Sequence, residues 1–303
     1  MSVFVGIEGG ATHATAVATD DRGHELARVG AEAIVVRGGD QSATASALAR
    51  LIATVLARAR SARAQAISCN LTGAGRADER LSLQQALSAL RLAETVAVGT
   101  DAEAALADAF EHGPGLLLIA GTGSIAWGRG SKGEIARAGG WGPIGGDEGS
   151  AWAIGRSALH AVFAAFDGRA AKTSLTHIVL DATGVETVPM LVRWAEDAGK
   201  KGVAALAPAV IQAAATDSIA RAVHDSAVND LALHVTALAA RLEPWQSEHI
   251  PCALAGGLLA SGRPMRDAVC SRLLMLVPSV AILDREIDGA RGAAWLARRL
   301  VTS

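Results

Sequence analysis

The pattern of hydrophobic and polar residues predicts alternating strands and helices over the first 112 residues. The clearest helix has apolar residues at positions 48, 51, 52, 55 and 56, a spacing that places them on one face. Asp20-Asp21-Arg22-Gly23 is typical of a turn between two strands. The predicted order is β-β-β-α-β-α-β-α, with strands Val3–Glu8, Thr12–Thr19, His24–Val29, Ala66–Thr72 and Thr95–Gly99 and further helices Asp78–Leu92 and Ala102–His112.

The same kind of pattern begins again in the second part of the chain. Leu116–Ala120 and Ile125–Arg129 predict a hairpin, and a long helical region follows at about 150–245. The remaining predictions are strand Cys252–Ala255, a helix from about Pro264, strand Val280–Leu283 and a final helix to Leu300. Because open α/β sheets bind ligands at their strand ends, two related halves predict a central cleft. We expect domains at 1–113 and 114–303, and the pattern leaves open whether the last helix packs on the first domain.

Composition and charge exclude several classes of protein. The 303 residues are 50% hydrophobic, enough for about two domains with their own cores. Net charge is −2 and the basic residues are scattered, which argues against nucleic acid as a partner. No apolar run approaches the roughly 20 residues of a membrane span, and no basic segment precedes the apolar residues near the start. We therefore expect no membrane partner, no signal peptide and a cytoplasmic location.

The three cysteines offer no metal cluster. Cys69, Cys252 and Cys270 lie far apart, without a CxxC spacing. This usage is typical of a reducing compartment.

Glycine-rich segments carry the candidate chemistry. Six of the twelve residues in 139–150 are glycine, and such a loop is costly to order unless backbone must approach a ligand. The loop leads into an apolar helical stretch, whose first N–H groups favour an anion. Together with the turns Gly9-Gly10-Ala11-Thr12 and Gly121-Thr122-Gly123-Ser124, this loop predicts a nucleotide-dependent enzyme.

Six motifs in register give a more specific resemblance. They are Gly6-Ile7-Glu8-Gly9-Gly10-Ala11-Thr12, Leu71-Thr72-Gly73, Thr100-Asp101-Ala102, Gly121-Thr122-Gly123-Ser124, Gly140-Trp141-Gly142 through Gly146-Asp147-Glu148-Gly149-Ser150, and Ala255-Gly256-Gly257. In this order the chain resembles the BadF/BadG/BcrA/BcrD-type ATPase family, and within it the N-acetylglucosamine and glucosamine kinase branch. The resemblance implies two actin-like (ribonuclease H-like) α/β domains facing a central cleft, with a helical insert in the second.

The resemblance also implies a site for ATP and Mg²⁺. Glu8 would hold a hydrated Mg²⁺ through water, although many members of the wider superfamily have Asp there. His13 stands where the family usually has Lys or Arg, which removes a permanent positive charge. Each glycine segment on its own also fits a plain turn. The implied ATP and phosphate contacts are Gly9, Gly10, Ala11, Thr12, His13, Gly121, Thr122, Gly123, Ser124, Gly256 and Gly257.

Asp101 is the implied catalytic residue, acting as the base that accepts a proton from the attacking hydroxyl. The alternative is a helix N-cap, which Asp fills well. For Asp147 and Glu148 the alternative role is to stabilise a helix start. The implied sugar contacts are Thr72, Asp101, Thr122, Gly140, Trp141 and Asp147.

The loop after the third strand departs from the branch. Ala33 falls where N-acetylglucosamine kinases have an Asn that reaches the sugar, and Glu32 precedes it. A carboxylate there would favour a free amine, as in glucosamine.

These observations predict an ATP-dependent kinase of an amino sugar, N-acetylglucosamine or glucosamine. Alternatives are a kinase of a related sugar such as N-acetylmuramic acid, a dehydratase-activating ATPase with an iron–sulfur cluster, and a non-catalytic sugar sensor. The expected partners are the sugar and the nucleotide. The helical insert is predicted to serve packing and to offer surface for a homodimer.

Overall fold

The computed structural model describes residues 2–10, 13–39 and 41–302. The chain forms two compact units, and the first combines its beginning with its end. Met1–His112 together with Ile287–Ser303 make the first unit, and Gly113–Glu286 make the second. The last helix of the chain therefore belongs to the same compact unit as the first 112 residues.

The first unit is a five-stranded sheet with helices on both faces. The strand order is β3-β2-β1-β4-β5, with β1, β2 and β3 antiparallel and β1, β4 and β5 parallel. Its strands are β1 (Phe4–Gly9), β2 (His13–Thr19), β3 (Glu25–Glu32), β4 (Ala64–Leu71) and β5 (Ala93–Gly99). Its helices are α1 (Ser42–Arg58), α2 (Ala77–Ala89), α3 (Asp101–Phe110) and the chain's last helix, α11 (Gly289–Thr302).

Strand β1 is apolar at consecutive positions because both of its faces are covered. Val5 and Ile7 belong to the core that includes Leu48 of α1, whereas Phe4 packs with Ala297 of α11. Side chains alternate between the two faces of a strand, so neighbouring residues enter different cores. This explains the continuous hydrophobic run near the start of the sequence.

Helix α11 lies unusually close to its neighbours. A Cβ at Gly6 would collide with the backbone of Ala294 and Ala290, and one at Gly292 would collide with the carbonyl of Ala104 in α3. Glycine at these two positions therefore lets the helix seat directly on β1 and α3.

The second unit repeats the strand order of the first. The order is β10-β9-β6-β7-β8. Read from β8 to β10, it matches the order β3-β2-β1-β4-β5 of the first unit, and the parallel and antiparallel pairs are the same. Its strands are β6 (Gly115–Ala120), β7 (Ser124–Arg129), β8 (Ile135–Gly139), β9 (Ile250–Ala255) and β10 (Val280–Ile282). Its helices are α4 (Gly142–Gly145), α5 (Ala151–Phe166), α6 (Leu175–Thr183), α7 (Met190–Ala204), α8 (Ala207–Ala213), α9 (Ser218–Arg241) and α10 (Pro264–Leu276).

The α/β class with two related halves is thus confirmed, but one strand was missed. Strand β8 has the sequence Ile-Ala-Arg-Ala-Gly, in which Ala136 is buried while Ile135 is exposed. A short edge strand with little buried apolar surface gives only a weak periodic signal.

The helical region predicted at about 150–245 is five helices, α5 to α9, that share a core with the sheet. Leu231, Val235 and Leu238 of α9 are buried, and this helix packs against β6, β7 and β8. Among the described residues, no helix combines the length and the apolar character that crossing a membrane requires.

Candidate active site

Thr72 and Asp101 meet at the carboxyl ends of two neighbouring parallel strands. Thr72 follows β4 and Asp101 follows β5 after one residue, so the parallel pairing brings both to one sheet edge. The Thr72 hydroxyl donates a hydrogen bond of 2.6 Å to Asp101 Oδ2. Oδ1 accepts from the N–H of Ala102 at 2.9 Å. Both side chains are half-buried, which leaves the carboxylate accessible.

Asp101 does not cap its helix. The N-cap of α3 is Thr100, whose side chain accepts from the N–H of Glu103 while the Glu103 carboxylate accepts from the N–H of Thr100. This reciprocal pair satisfies the helix start without Asp101. The alternative reading of Asp101 as the N-cap is therefore excluded, and its carboxylate is left for another role.

Asn70 fixes the turn that carries Asp101, a role that no motif in the sequence indicates. It is 1% exposed, accepts from the Ser68 hydroxyl at 2.7 Å and donates to the carbonyl of Thr100 at 3.1 Å. A buried amide with both ends paired holds its partners rigidly.

Glu8 lies in a crowded acidic environment beside the start of α11. Burial, reinforced by the negative charges of Asp101, Asp288 and Asp108, raises the pKa of Glu8 from 4.5 to about 7, against the lowering effect of Arg28. A Cβ at residue 289 would lie 2.5–2.8 Å from the Glu8 carboxylate, so glycine at this position makes room for it.

Ion pairs hold this end of α11 in place. Arg291 donates two hydrogen bonds to Asp108, of 2.5 Å from Nε and 2.8 Å from an amino group, and Asp108 also accepts from the N–H of Asp288 at 3.0 Å. Arg28 in turn contacts Asp288 at 2.7 Å. This network links β3, α3 and α11 behind Glu8, and the sequence alone did not indicate it.

The first glycine turn is described only in part. Gly9 ends β1, where its carbonyl accepts from the N–H of Thr72 at 2.8 Å, and the N–H of Gly10 donates to the carbonyl of His13 at 2.9 Å. His13 begins β2 and is exposed. The predicted phosphate contacts of Ala11 and Thr12 lie outside the described residues.

The loop around Ala33, where the sequence differs from N-acetylglucosamine kinases, begins at the end of β3. Glu32 is the last residue of this strand, opposite His13 in the register, and Ala33 follows it. The side chains of Glu32 and Ala33 are exposed.

In the second unit, three predicted ligand segments come together. The carbonyls of Gly121 and Thr122 accept from the first N–H groups of α5, at Ala151 (2.9 Å) and Trp152 (3.3 Å). The N–H of Leu258, next to Gly257, donates to the carbonyl of Ala120 at 3.1 Å. The second glycine turn is therefore fixed between a helix start and the Gly256-Gly257 segment.

A largely apolar cavity of about 430 Å³ opens at this point. Gly121, Thr122 and Gly257 line it, whereas Gly123, Ser124 and Gly256 do not. Its other walls come from Leu258, Arg263 and several helices, whose lining residues include Ala204, Pro208, Ile211 and Met265. The insert thus contributes a wall of the candidate ligand pocket as well as packing, a role that its alanine-rich periodicity did not reveal.

The glycine-rich loop presents an aromatic ring to solvent. Trp141 is 68% exposed, and the guanidinium of Arg137 in β8 lies 4.3 Å from its ring centre. The N–H of Gly140 donates to the carbonyl of Ser124 at 3.1 Å, which ties the loop to β7. Contact of Gly140 and Trp141 with sugar remains a prediction.

Asp147 is buried and already paired. It is 4% exposed, it accepts from the N–H of Ser124 at 3.2 Å, and its Oδ2 lies 2.6 Å from the ammonium of Lys200 in α7. Ser150 rather than Asp147 or Glu148 caps α5. The contact of Asp147 with sugar hydroxyls stays a prediction. The sequence did not indicate Lys200 as a partner of Asp147.

Two of the three cysteines, Cys69 and Cys252, are fully buried. Burial raises the pKa of both thiols to about 12. Within the described part of the chain, no cysteine belongs to a group of three or more side chains that could hold a metal ion.

Comparisons with known proteins agree with the resemblance. The sequence matches the BadF/BadG/BcrA/BcrD ATPase family over residues 5–297. The N-acetylmuramic acid/N-acetylglucosamine kinase of Clostridium acetobutylicum is 33% identical over 236 residues, 77% of each protein. The N-acetyl-D-glucosamine kinase of Dictyostelium discoideum is 28% identical over a 311-residue alignment covering 97% of both. A structure from Chromobacterium violaceum, provisionally an N-acetylglucosamine kinase, has a TM-score of 0.80 at 27% identity, covering 98% of this chain and 99% of that one.

Proposed function

Because this chain belongs to the BadF/BadG/BcrA/BcrD ATPase family, we propose that it is an ATP-dependent kinase of N-acetylglucosamine or a closely related amino sugar. The observation that carries this proposal is the Thr72–Asp101 pair, a carboxylate that is accessible, oriented and not used to cap its helix. A kinase needs such a group to activate the attacking hydroxyl. The relatives that act on amino sugars point to the substrate class.

In this mechanism Asp101 orients a sugar hydroxyl and accepts its proton. The hydroxyl oxygen forms a bond to the γ-phosphorus of ATP as the bond from that phosphorus to the β,γ-bridging oxygen breaks, which leaves ADP. Thr72 keeps the carboxylate in position by donating to Oδ2, and Asn70 holds the preceding turn. Most of the remaining rate enhancement in such reactions comes from positioning and charge neutralisation.

The surroundings of Glu8 fit a nearby cation. Burial, and after it three neighbouring carboxylates, raise the pKa of Glu8, and a positive charge would favour its ionised form. Among the described residues no group of three or more candidate ligands is arranged to hold a metal directly. In the proposed site Glu8 would hold the ion through water. Bound Mg²⁺ would neutralise charge on the ATP phosphates.

The apolar cavity of the second unit is the proposed site for the adenosine part of ATP. Its volume of about 430 Å³ lies in the usual range for small-ligand pockets. Gly121 and Gly257 on its wall lack side chains, so a ligand can lie against backbone.

N-acetylmuramic acid is a second candidate substrate, favoured by the position of Arg137. This sugar differs from N-acetylglucosamine by a lactyl group with a carboxylate. Arg137 lies beside the predicted sugar residues Gly140 and Trp141, and its guanidinium suits a carboxylate.

The test is sugar-dependent release of ADP from Mg-ATP by the purified protein. The panel contains N-acetylglucosamine, glucosamine, N-acetylmuramic acid and glucose, with wild type and Arg137→Gln compared on each. Release with an amino sugar supports the kinase, and a specific loss of N-acetylmuramic acid activity in Arg137→Gln supports the second candidate. Brisk release without any sugar favours the dehydratase-activating ATPase. Nucleotide and sugar binding without turnover favours the sensor.

A further inference from the structure

Lys200 and the second glycine turn form a cationic site that neither the sequence motifs nor the family match indicated. Lys200 lies in α7, within the helical insert, far along the chain from residues 121–124. Its ammonium would nevertheless lie only 3.1 Å from a Cβ placed at Gly123. The positive charge of Lys200 therefore lies beside the turn at residues 121–124, which was predicted to bind phosphate.

The backbone of α7 is distorted where it delivers this lysine. Gly199 has φ 58° and ψ −165° inside the helix, a conformation that is costly for any residue with a side chain. The helix is interrupted at this residue and continues toward Ala204 and Ala205, which line the apolar cavity. Glycine adopts this conformation without a steric cost, so the helix can change direction immediately before Lys200.

The carboxylate of Asp147 holds the ammonium of Lys200 in place through an ion pair. Its side chain is 6% exposed and that of Lys200 is 36% exposed, with 2.6 Å between Oδ2 and Nζ. A Cβ at Gly123 would lie 2.5 Å from Asp147 Oδ1, so only glycine leaves room for the pair against the turn. An ammonium has three donors, and the carboxylate uses one side of it. The partly exposed side is left to bind an anion.

The cavity and the lysine occupy successive parts of one surface. Gly121 and Thr122 line the cavity, and the next residue, Gly123, lies beneath Lys200. A ligand with an apolar ring in the cavity would extend along the turn toward the ammonium. The chemistry that fits both features is a nucleoside polyphosphate.

We propose that Lys200 binds the polyphosphate of the nucleotide at the second glycine turn and that Asp147 positions it. This inference rests on the proposed use of ATP, and it assigns to the helical insert a direct part in nucleotide binding. It also gives Asp147 a role different from the predicted contact with sugar hydroxyls.

The direct test is calorimetric binding of ATP, ADP and adenosine in EDTA, so that no metal contributes. Lys200→Gln should weaken ATP and ADP binding by roughly 10- to 100-fold, the usual effect of losing a charge-assisted hydrogen bond, and should change adenosine binding by less than about threefold. Lys200→Arg should recover most of the affinity because it keeps the charge. Lys201→Gln, at the exposed neighbouring lysine, is the matched control and should bind like wild type.

Loss of Lys200 also leaves Asp147 buried without its cation, which can destabilise the fold. The double variant Lys200→Gln/Asp147→Asn removes both charges and should restore thermal stability without restoring ATP affinity. Wild-type affinity for ATP in either variant, or equal weakening of ATP and adenosine, would overturn the proposal.

Steady-state kinetics can distinguish two roles of Asp147, the positioning of Lys200 and contact with the sugar. If it positions Lys200, Asp147→Asn raises KM for ATP and leaves KM for sugar within about twofold. A raised KM for sugar with unchanged KM for ATP contradicts the positioning role. A wild-type protein that binds ATP but phosphorylates no sugar would refute the proposed kinase and leave the Lys200 site intact, whereas one that binds no nucleotide refutes both.

Discussion

At the scale of single residues, the sequence made Asp101 a candidate both for the N-cap of a helix and for the catalytic base. In the structure Thr100 is the N-cap, so Asp101 does not have that role. Thr100 satisfies the start of α3 through its reciprocal contacts with Glu103, and Asp101 accepts from Thr72 instead. Two adjacent residues with cap-forming side chains cannot be told apart by propensity, since both types favour this position. The hydrogen-bond partners decide which one is free for chemistry.

Asp101→Asn should therefore lower kcat by roughly 10²- to 10⁴-fold, because an amide cannot accept the proton of the attacking hydroxyl. The fold should be retained, since Thr100 still caps α3. The measurement is steady-state kinetics with thermal unfolding as a check. Asp78→Asn, at another carboxylate in the first turn of a helix, is the matched control and should keep full activity. More than about a tenth of wild-type turnover in Asp101→Asn would contradict the role of base.

Glu32 and Ala33 carry the residue-scale prediction about substrate choice. Both are exposed at the end of β3, so a sugar can reach the Glu32 carboxylate. A carboxylate favours the ammonium of glucosamine and gains nothing from an acetamide. Glu32→Gln should lower kcat/KM for glucosamine relative to N-acetylglucosamine, and Ala33→Asn should shift the ratio in the same direction by supplying an amide to the acetylated sugar. If Glu32→Gln leaves the ratio of kcat/KM for the two sugars unchanged, Glu32 is a solvated residue without a part in substrate choice.

At the scale of elements, Asp217 joins the starts of two helices in the insert. Its Oδ1 accepts from the N–H groups of Ile219 and Ala220 at the start of α9, at 2.8 and 3.0 Å. Its Oδ2 accepts from Thr173 and from both the N–H and the hydroxyl of Ser174, ahead of α6. One side chain therefore caps the 24-residue helix α9 and anchors the residues that precede α6.

Asp217→Ala should lower the free energy of unfolding by about 1–2 kcal/mol at pH 7, the usual effect of removing an N-cap. Burial raises the pKa of Asp217, but the hydrogen bonds from Ala220, Ser174 and Thr173 outweigh it and hold the pKa below its ordinary value. The stabilisation is therefore complete above about pH 4, the ordinary pKa, and is lost as the pH falls toward the lowered one. Urea unfolding of both proteins at pH 7 and in acid measures the difference.

Asp181→Ala, at an exposed carboxylate in α6, is the control for this prediction and should change little at either pH. A difference between wild type and Asp217→Ala that stays constant into strong acid would show that the ionised form contributes nothing. A difference below about 0.3 kcal/mol at pH 7 would refute the capping role.

At the scale of the whole molecule, the first unit is completed only by the end of the chain. Helix α11 covers one face of β1, β2 and β4. Phe4 and Ala66 pack there with Ala297, and Val17 of β2 packs with Ala290 and Ala294. Asp108 and Arg291 add a bidentate ion pair between α3 and α11. Both ends of the chain therefore contribute to one core.

A chain that ends at Glu286 should lose most of the protection of the first sheet. Removing α11 exposes the apolar face of β1 and β4, and burial of such surface is the main stabilising contribution in folded proteins. Hydrogen exchange read by mass spectrometry should show faster exchange in β1 and β4, with β6 and β9 of the second unit little changed. A chain that ends at Leu300 is the control. Unchanged protection of β1 and β4 in the shorter chain would contradict the assignment of α11 to the first unit.

The sequence by itself determined the class of fold and the family, and it predicted which segments would bind the ligands. These depend on local properties: the period of apolar residues, which the strands and helices follow within a few residues, and glycine at turns where backbone must approach a ligand. Thr72 and Asp101 were identified separately, from motifs 29 residues apart, before any contact between them was known. Local patterns were sufficient because each element is specified by its own segment.

Only the tertiary structure decided which residues work together. Asn70 supports the turn of Asp101, Arg291 pairs with Asp108 across 183 positions, and Lys200 of α7 lies against the turn at Gly123. Asn70, Arg291 and Lys200 belong to none of the motifs, because a buried amide or an ion pair is defined by its partner in space and not by its neighbours in the chain. The same reason explains β8, a strand with little apolar pattern that exists because β7 offers it hydrogen bonds.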